Sequence, residues 1–219
     1  MIFIRGKKVL ISLGGTFEPI DSVRGITNKS SGKMGLAIAK QAYILGADVT
    51  LIVANVSVEI SPLFKVIPVE TSKQMADAIF DIVEDFDIFI STAAVSDFEV
   101  VEYENRKMDS ESSLSINLKP TLKIIRQIKK INPDIFLVGF KAEFNISRED
   151  IICCAKKQIN DAGTDIVVAN DVSQKDCNFG SDKNEVLIID DDVLSVPLAS
   201  KDEIAKVIMD VVSKRISCR

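Results

Sequence analysis

Two rhythms of apolar residues alternate along this chain. Short, nearly continuous apolar runs at Val9–Leu13, Asp48–Ala54, Phe64–Val69, Asp87–Ala93, Ile135–Phe140 and Asp165–Ala169 predict buried β-strands. Between them lie segments of helical period. The first, Lys33–Leu45, has Met34, Ala37, Ile38, Ala42 and Leu45 on one face and stops at Gly46. In the second, Ser72 is expected to cap a helix reaching Phe86, with Met75, Ala76, Ile79 and Val83 inward. A third is expected from Pro120 towards Pro133 through Leu122, Ile125, Ile128 and Ile131, and a fourth over Ser147–Asn160. Glu185–Ile189 and Val193–Leu198 read as a hairpin around Asp190, Asp191 and Asp192. Ser200 and Glu203 form a capping box that opens a last helix to about Lys214. Strands alternating with helices imply βαβ crossovers. The expected fold is therefore α/β, a Rossmann-like three-layer arrangement with a mainly parallel central sheet and a C-terminal hairpin and helix.

Two stretches break the rhythm. Ser96–Ser113 is polar, rich in Glu, Asp and Ser, and lacks periodicity; its length is that of a lid or a disordered loop. Ser115–Leu118 is a short candidate strand. The other stretch is Gly14–Gly35, GGTFEPIDSVRGITNKSSGKMG, which joins the first strand to the first helix. Glycine-freed backbone N–H groups, a helix start, and the neutral donors Asn28, Ser30 and Ser31 make a cradle for phosphate. It is not a Walker A loop, because Met34 follows Gly32-Lys33 where Ser or Thr would hold Mg²⁺. No G-x-G-x-x-G fingerprint follows the first strand either.

Composition narrows the chemistry. At 219 residues and 47% hydrophobic, one α/β domain over 1–219 is expected, with no repeat or linker. A net charge of −5 without a Lys/Arg run interleaved with aromatics argues against a nucleic-acid surface. Cys153, Cys154, Cys177 and Cys218 show neither a C-x-x-C spacing nor a disulfide framework, no apolar run approaches the ~20 residues of a bilayer span, and the N-terminus lacks a signal-peptide pattern. A soluble protein of the reducing cytoplasm is expected. Histidine is absent, which removes Ser-His triads, the usual zinc ligands and the commonest general base. Chemistry at phosphorus remains well suited, since lysines, backbone N–H groups and Mg²⁺ do most of its work.

Open α/β sheets bind ligands at the carboxyl ends of their strands. Gly14-Gly15, Ala93-Ala94-Val95-Ser96-Asp97, Gly139-Phe140 and Asn170-Asp171 all fall at such ends. Each alone reads first as turn chemistry; their coincidence at one edge points to a site. Arg24, between the Gly-Gly turn and Asn28, has the fork geometry for a phosphate or carboxylate, with a surface ion pair as the plain alternative. Arg106-Lys107 sits in the lid-like segment.

The ordered motifs GGTFEPIDSVRGITNKSSGKMG, STAAVSDF, VGFKAE, DIVVAND and NFGSDKNEV resemble those of phosphopantothenoylcysteine synthetase across nearly the whole chain. That family joins 4′-phosphopantothenate to L-cysteine. The carboxylate attacks the α-phosphate of CTP, or of ATP in other members, and releases pyrophosphate; the cysteine amine then displaces the nucleoside monophosphate. The resemblance implies that Gly14, Ser30, Gly32 and Gly35 hold phosphates and that Phe140 and Asn170 lie at the nucleoside. It implies that Asn28 serves substrate binding and catalysis with Arg24 beside it, that Ala93, Ala94 and Asp97 complete the substrate site, and that Lys107 is the lid lysine that acts in forming the acyl-nucleotidylate. Asp97 is also implied in reading the cytosine. Mg²⁺ as cofactor, a homodimer whose subunits share the site, and a flavin decarboxylase as a fused or separate partner follow from the same resemblance. No such decarboxylase domain is recognisable in this chain, so a free-standing synthetase or the excised half of a bifunctional protein is expected.

Three positions depart from the family pattern. Lys107-Met108-Asp109-Ser110 keeps one lysine of Lys-x-Lys-Lys, Gln158-Ile159 replaces a Lys-Leu pair, and Lys119-Pro120-Thr121 replaces Asn-Pro-Asp. The residues alone also leave open a nicotinamide-dependent oxidoreductase and a nucleotide-binding regulatory protein.

Overall fold

In the computed structural model, which describes residues 4–103, 105–107, 113–174, 176–177 and 180–218, the elements follow the two rhythms closely. In chain order they are β1 (Lys8–Leu13), β2 (Phe17–Pro19), β3 (Gly25–Thr27), α1 (Lys33–Ile44), β4 (Asp48–Val53), β5 (Lys65–Pro68) and α2 (Ser72–Phe80). After a 3₁₀ turn (Val83–Asp85) come β6 (Ile88–Ser91), β7 (Phe98–Val100), β8 (Leu118–Pro120), α3 (Ile125–Ile131) and β9 (Phe136–Glu143). The chain continues through α4 (Arg148–Ala162), β10 (Ile166–Asp171), β11 (Lys183–Ile189), β12 (Val193–Ser200) and α5 (Lys201–Ile216).

Eight strands form one sheet in the order β12-β11-β10-β9-β6-β1-β4-β5. β5 through β10 in that order are parallel, whereas β11 and β12 add an antiparallel edge. Side chains alternate across the strands, so each central strand feeds two cores. Val9, Ile11 and Leu13 of β1 join Leu36 and Ile38 of α1 and Ile204, Ile208 and Met209 of α5 on one face. Leu10 joins Phe89, Leu137, Met75, Ile79 and Ile128 on the other, beneath α2 and α3, and α4 extends that layer through Ile151 and Ala155 over Val167 and Leu187. Helices therefore cover both faces, as the nearly continuous apolar strands require.

Three expectations are corrected in detail. Thr71, not Ser72, caps α2: its side chain accepts from the Gln74 N–H while the Gln74 side chain accepts from the Thr71 N–H. That helix stops at Phe80, where the chain tightens into a 3₁₀ turn instead of running on to Phe86. Pro120 ends β8 and starts no helix, and α3 begins five residues later at Ile125. Two small antiparallel hairpins, β2–β3 within the glycine-rich stretch and β7–β8 flanking the polar segment, supplement the main sheet.

Candidate functional site

From β1 the chain crosses through α1 to β4 and β5, and it then returns to the other side of β1 as β6. That reversal opens a crevice between the carboxyl ends of β1 and β6, the place where open α/β sheets take ligands. The crevice here is a cleft of about 1110 Å³.

Its floor is stitched from backbone. Gly14, at φ +91°, turns the chain at the end of β1, and a Cβ there would lie 2.7 Å from the Asn55 carbonyl oxygen. The Gly15 N–H donates to that same oxygen at 2.9 Å, and the Ala94 N–H donates to the Gly14 carbonyl at 2.8 Å. After the β2–β3 excursion the chain returns at Asn28. Its Nδ2 donates to the carbonyls of Ala94 and Val95, both at 3.2 Å, and so joins the cradle to the loop after β6. Gly32, at φ +75°, is the N-cap of α1 and supplies no side-chain cap. Apart from the Lys33 N–H, which donates to Ser31 Oγ at 3.5 Å, the first-turn N–H groups of this 12-residue helix carry no side-chain cap, and Gly32, Lys33, Met34 and Gly35 line the cleft.

Ser30, Gly32 and Gly35 line the cleft with Asn28, and across from them stand Ala93, Ala94 and Asp97. Phe140 of β9 and Asn170 of β10 complete the nine sequence-predicted positions brought together. Asn170 Nδ2 donates to Asn184 Oδ1 at 3.3 Å. Asp97 forms an ion pair with Lys123, which also borders the cleft. Gly14 lies behind the lining, as a turn-former. Arg24 stands apart on the β2–β3 turn: its Nε and Nη2 donate to Oδ2 of the buried Asp21 at 2.9 and 2.6 Å, while Asp21 Oδ1 accepts from the N–H groups of Val23 and Arg24. Lys107 is exposed and is not among the residues lining the cleft; Met108, Asp109 and Ser110, the altered lid positions, lie outside the described residues. So do Asn178 and Phe179 of the NFGSDKNEV motif.

Other cleft residues carried no clear signal in the sequence. On α4, Cys154, Gln158 and Asp161 recur at helical spacing and share the cleft face, with Lys157 beside them. Asp161 Oδ2 accepts from Arg126 Nη2 at 2.8 Å and from Lys157 Nζ at 3.2 Å. Lys157 thus borders the cleft near Gln158, whereas Lys156 lies on the outer surface of α4. The Gln158 Nε2 atom is buried without a hydrogen-bond partner among the described residues, wedged against Gly139, where a Cβ would collide with it. Cys177 also borders the cleft, and burial pushes its thiol pKa up, leaving it a poor nucleophile. Lys33 and Lys201 close the far end.

Among the described residues no three His, Cys, Asp or Glu side chains gather as a metal-ligand cluster. The cleft carboxylates Asp97 and Asp161 are each ion-paired with a cation. This donor set fits Mg²⁺ only as an ion that a polyphosphate carries in and that takes one or two carboxylates at most.

Parallel strands with both faces covered, a switch-point crevice and a glycine-started helix without a side-chain N-cap define a Rossmann-like domain with a cleft at the place where such folds take ligands. Comparison with known proteins carries this further. Residues 4–216 match the family described as the DNA/pantothenate metabolism flavoprotein C-terminal domain, and the chain belongs to that family. It is 43% identical over 216 residues to the coenzyme A biosynthesis bifunctional protein CoaBC of Thermococcus kodakarensis, covering 97% of this chain and 52% of that protein. It is 39% identical over 211 residues to the protein of the same description from Methanocaldococcus jannaschii, covering 96% of this chain and 51% of that one. The chain thus spans about half the length of these curated relatives. A crystal structure of the C-terminal domain of a coenzyme A biosynthesis bifunctional protein CoaBC superposes with a TM-score of 0.83 at 28% identity, covering all of both chains. The resemblance to the synthetase part of such proteins is therefore borne out, and so is the Rossmann-like fold.

Proposed function

We propose that this protein is a phosphopantothenate–cysteine ligase that joins 4′-phosphopantothenate to L-cysteine, with CTP as the preferred activating nucleotide and ATP as the alternative. The observation that carries this reading is the meeting of Asn28, the uncapped start of α1 and the Ala93–Asp97 loop in one switch-point cleft. Family membership supports it.

In the first step the pantothenate carboxylate oxygen forms a bond to the α-phosphorus as the α–β bridging P–O bond breaks. The electron pair leaves with pyrophosphate, and Mg²⁺ bound with the nucleotide supplies charge neutralisation to that step. In the second step the cysteine amine attacks the acyl carbon, loses a proton, and expels the nucleoside monophosphate. First-turn N–H groups of α1 near Ser30, Gly32 and Gly35 stabilise phosphate charge that builds up in place, without reorganisation. Asn28 is held by two backbone carbonyls, so its remaining oxygen acceptor has a fixed direction towards the reacting acyl group. Asp97 and Phe140 take the nucleoside and substrate side, Asn170 stands at the nucleoside with Phe140, and Lys107 closes over the phosphates as the lid lysine. Arg24, locked by Asp21, serves an anionic group of the substrate from the hairpin.

The reading includes a homodimer. Its candidate surface is the β7–β8 arm, where Phe98 and Leu118 are half exposed beside Val101, Leu114 and Ile116. It also includes residues 1–219 acting as one synthetase domain in the cytoplasm, beside a decarboxylase domain or protein; the description of the relatives as bifunctional supports a second activity beside this one. No helix among the described residues is long and apolar enough to cross a membrane. The test is pyrophosphate release with 4′-phosphopantothenate and Mg²⁺, comparing CTP with ATP and each with or without L-cysteine. Release that needs phosphopantothenate and rises with cysteine is expected; folded protein silent with both nucleotides refutes the ligase reading and favours the regulatory one.

A further inference from the structure

Among the described residues that line the cleft, Gln158 carries a buried polar atom that the protein itself leaves unanswered. Its Nε2 looks into carbon. From the place where a Cβ on Gly139 would stand, that nitrogen is 2.0 Å away, Ile125 Cδ1 2.9 Å and Thr164 Cγ2 3.2 Å. Thr164 Oγ1 donates at 3.5 Å to the main-chain carbonyl of Gln158, which leaves the side-chain amide unheld. A buried N–H without an acceptor costs its full desolvation, and a methionine would fill the same space without that cost. The glutamine also stands where the family pattern has a lysine, a side chain that only donates. Its position says what the amide meets. Ser12 of β1, Ser91 of β6 and Gly139 of β9 lie in one row across the sheet, so Gly139 is two strand spacings, about 10 Å, from β1 and the glycine turn that follows it. A nucleotide with its phosphates at the α1 start spans that gap with its ribose and brings its base to Gln158.

We propose that Gln158 reads the base of the nucleotide and adapts to it, offering Oε1 to an amino pyrimidine and Nε2 to a keto pyrimidine. The proposal rests on the nucleotide-dependent reading above and adds to it a residue and a rule of base choice. Cytosine presents an amino donor beside a ring acceptor, whereas uracil presents a carbonyl acceptor beside a ring N–H. An amide carries both a donor and an acceptor, and its terminal torsion is broad and roughly two-fold, so a half turn exchanges them at little cost. The turn that brings Nε2 to the cleft sets Oε1 against the Gly139 α-carbon, whose C–H is a weak donor. A lysine at this place would meet acceptors alone. Gln158 meets either base, and discrimination between them is left to other groups of the cleft such as Asp97.

The test is calorimetric titration of the full chain in Mg²⁺ buffer with CTP and UTP, which differ only at that edge of the pyrimidine. A charge introduced at this position acts on both triphosphates alike, so the ratio of the two Kd values isolates the base. Gln158→Glu, which only accepts, is expected to shift that ratio about 10-fold towards CTP, and Gln158→Lys, which only donates, about 10-fold towards UTP. Gln158→Met keeps the volume and loses both functions; it is expected to weaken both nucleotides by a similar factor, roughly 10-fold, while Tm rises. Ratios that stay at the wild-type value in the Glu and Lys variants, or that move in only one of them, overturn the proposal. If neither charged variant folds, the methionine variant decides: unchanged affinity for both nucleotides overturns base reading and leaves Gln158 a packing residue. Wild-type protein that binds neither nucleotide overturns the nucleotide reading and the proposal together, whereas wild-type binding with unmoved ratios overturns the proposal alone.

Discussion

Gly35→Ala sets two well-known effects against each other, and the structure decides between them. Gly35 lies in the first turns of α1, where helix propensity alone favours alanine by ~1 kcal/mol. Its missing side chain, however, faces the sheet. A Cβ would sit 2.6 Å from Leu13 Cβ and closer still to Thr92 Oγ1, nearer than the 3.0 Å that such atoms respect. Neither neighbour yields easily. Leu13 is fully buried, and its Cβ moves only with β1; Thr92 Oγ1 is held by a 2.7 Å hydrogen bond to the Ser12 carbonyl. Overpacking against such atoms costs ~1–3 kcal/mol, and rigid contacts on two sides place this site near the upper end. After the propensity gain is subtracted, a net loss of about 1–2 kcal/mol remains.

For a chain of this size that loss corresponds to a fall in Tm of roughly 2–8 °C, measurable by circular dichroism at 222 nm. The displacement lifts the start of α1, so nucleotide affinity should fall in the same variant. Thr92→Ala removes one of the two obstacles, so the double variant should be destabilised by less than the sum of the single variants, with a coupling of about 0.5–1 kcal/mol. An unchanged or raised Tm in Gly35→Ala would refute the reasoning, because it would mean that helix propensity outweighs the contact with the sheet.

Other expectations follow from single contacts. Lys107→Gln should lower phosphopantothenate-dependent pyrophosphate release by about 10²-fold or more, whereas Asn28→Asp, which loses both amide donors to the Ala94 and Val95 carbonyls, should leave activation largely intact and impair the cysteine-dependent step; equal loss of both half-reactions in folded variants counts against that division. Thr71→Ala breaks the α2 capping box and should cost ~1 kcal/mol, read as a Tm lowered by about 2–4 °C. Asp171 has its pKa lowered from 3.8 to about 2: desolvation would raise it, but bonds from Ser173, the Asn145 N–H and Gln174 to the ionised form outweigh that. A depressed carboxyl pKa contributes stability that is fully present above the unfolded value and is lost as pH falls through the folded one. Asp171→Asn should therefore show a smaller loss of Tm than wild type between about pH 4 and pH 2, and parallel Tm–pH curves would exclude this role.

The layout of the sheet was legible because its strands and helices differ in period. β1, β4, β6, β9 and β10 are short apolar runs, α1 and α5 carry their stop and start signals at Gly46 and Ser200, and each signal is local. The misreadings have local causes too. Thr71 and Ser72 are both capping residues, and only the reciprocal bond with Gln74 separates them. Pro120 suits a helix start as well as it suits the end of an edge strand in the β7–β8 hairpin, where its missing N–H costs nothing. The strand-end residues were readable because topology gathers all strand ends of a parallel sheet on one edge. Lys201 was not, since it follows an ordinary helix cap and meets Lys33 only through the packing of α5 on α1. Asp161 and Lys123 were hidden for a similar reason: a charged residue on a helix or loop shows its cleft-facing side only once α3 and α4 are docked.

The proposed preference of the cleft for phosphate rests on how its backbone is spent. Around the crevice the polar main-chain groups largely satisfy one another: Gly15 with Asn55, Gly14 with Ala94, Thr16 with Ala94, and Asn28 with Ala94 and Val95. A floor satisfied in that way is rigid but offers a ligand little. The exception is the first turn of α1, where a glycine in the left-handed region stands at the position that Thr71, Ser147 and Ser200 fill in α2, α4 and α5. Each of those helices spends a side-chain oxygen on its own N–H groups. α1 has no N-cap side chain of this kind and commits only the Lys33 N–H, through a long 3.5 Å bond to Ser31 Oγ; a Cβ at Gly32 would run into Val56 Cγ1 at 2.5 Å, so a serine or aspartate cap is sterically barred there. The same substitution that would stabilise an ordinary helix would both strain this one and fill its donors. On the proposed reading, the missing cap is what would let a tight turn serve as a phosphate site, and it would do so without histidine.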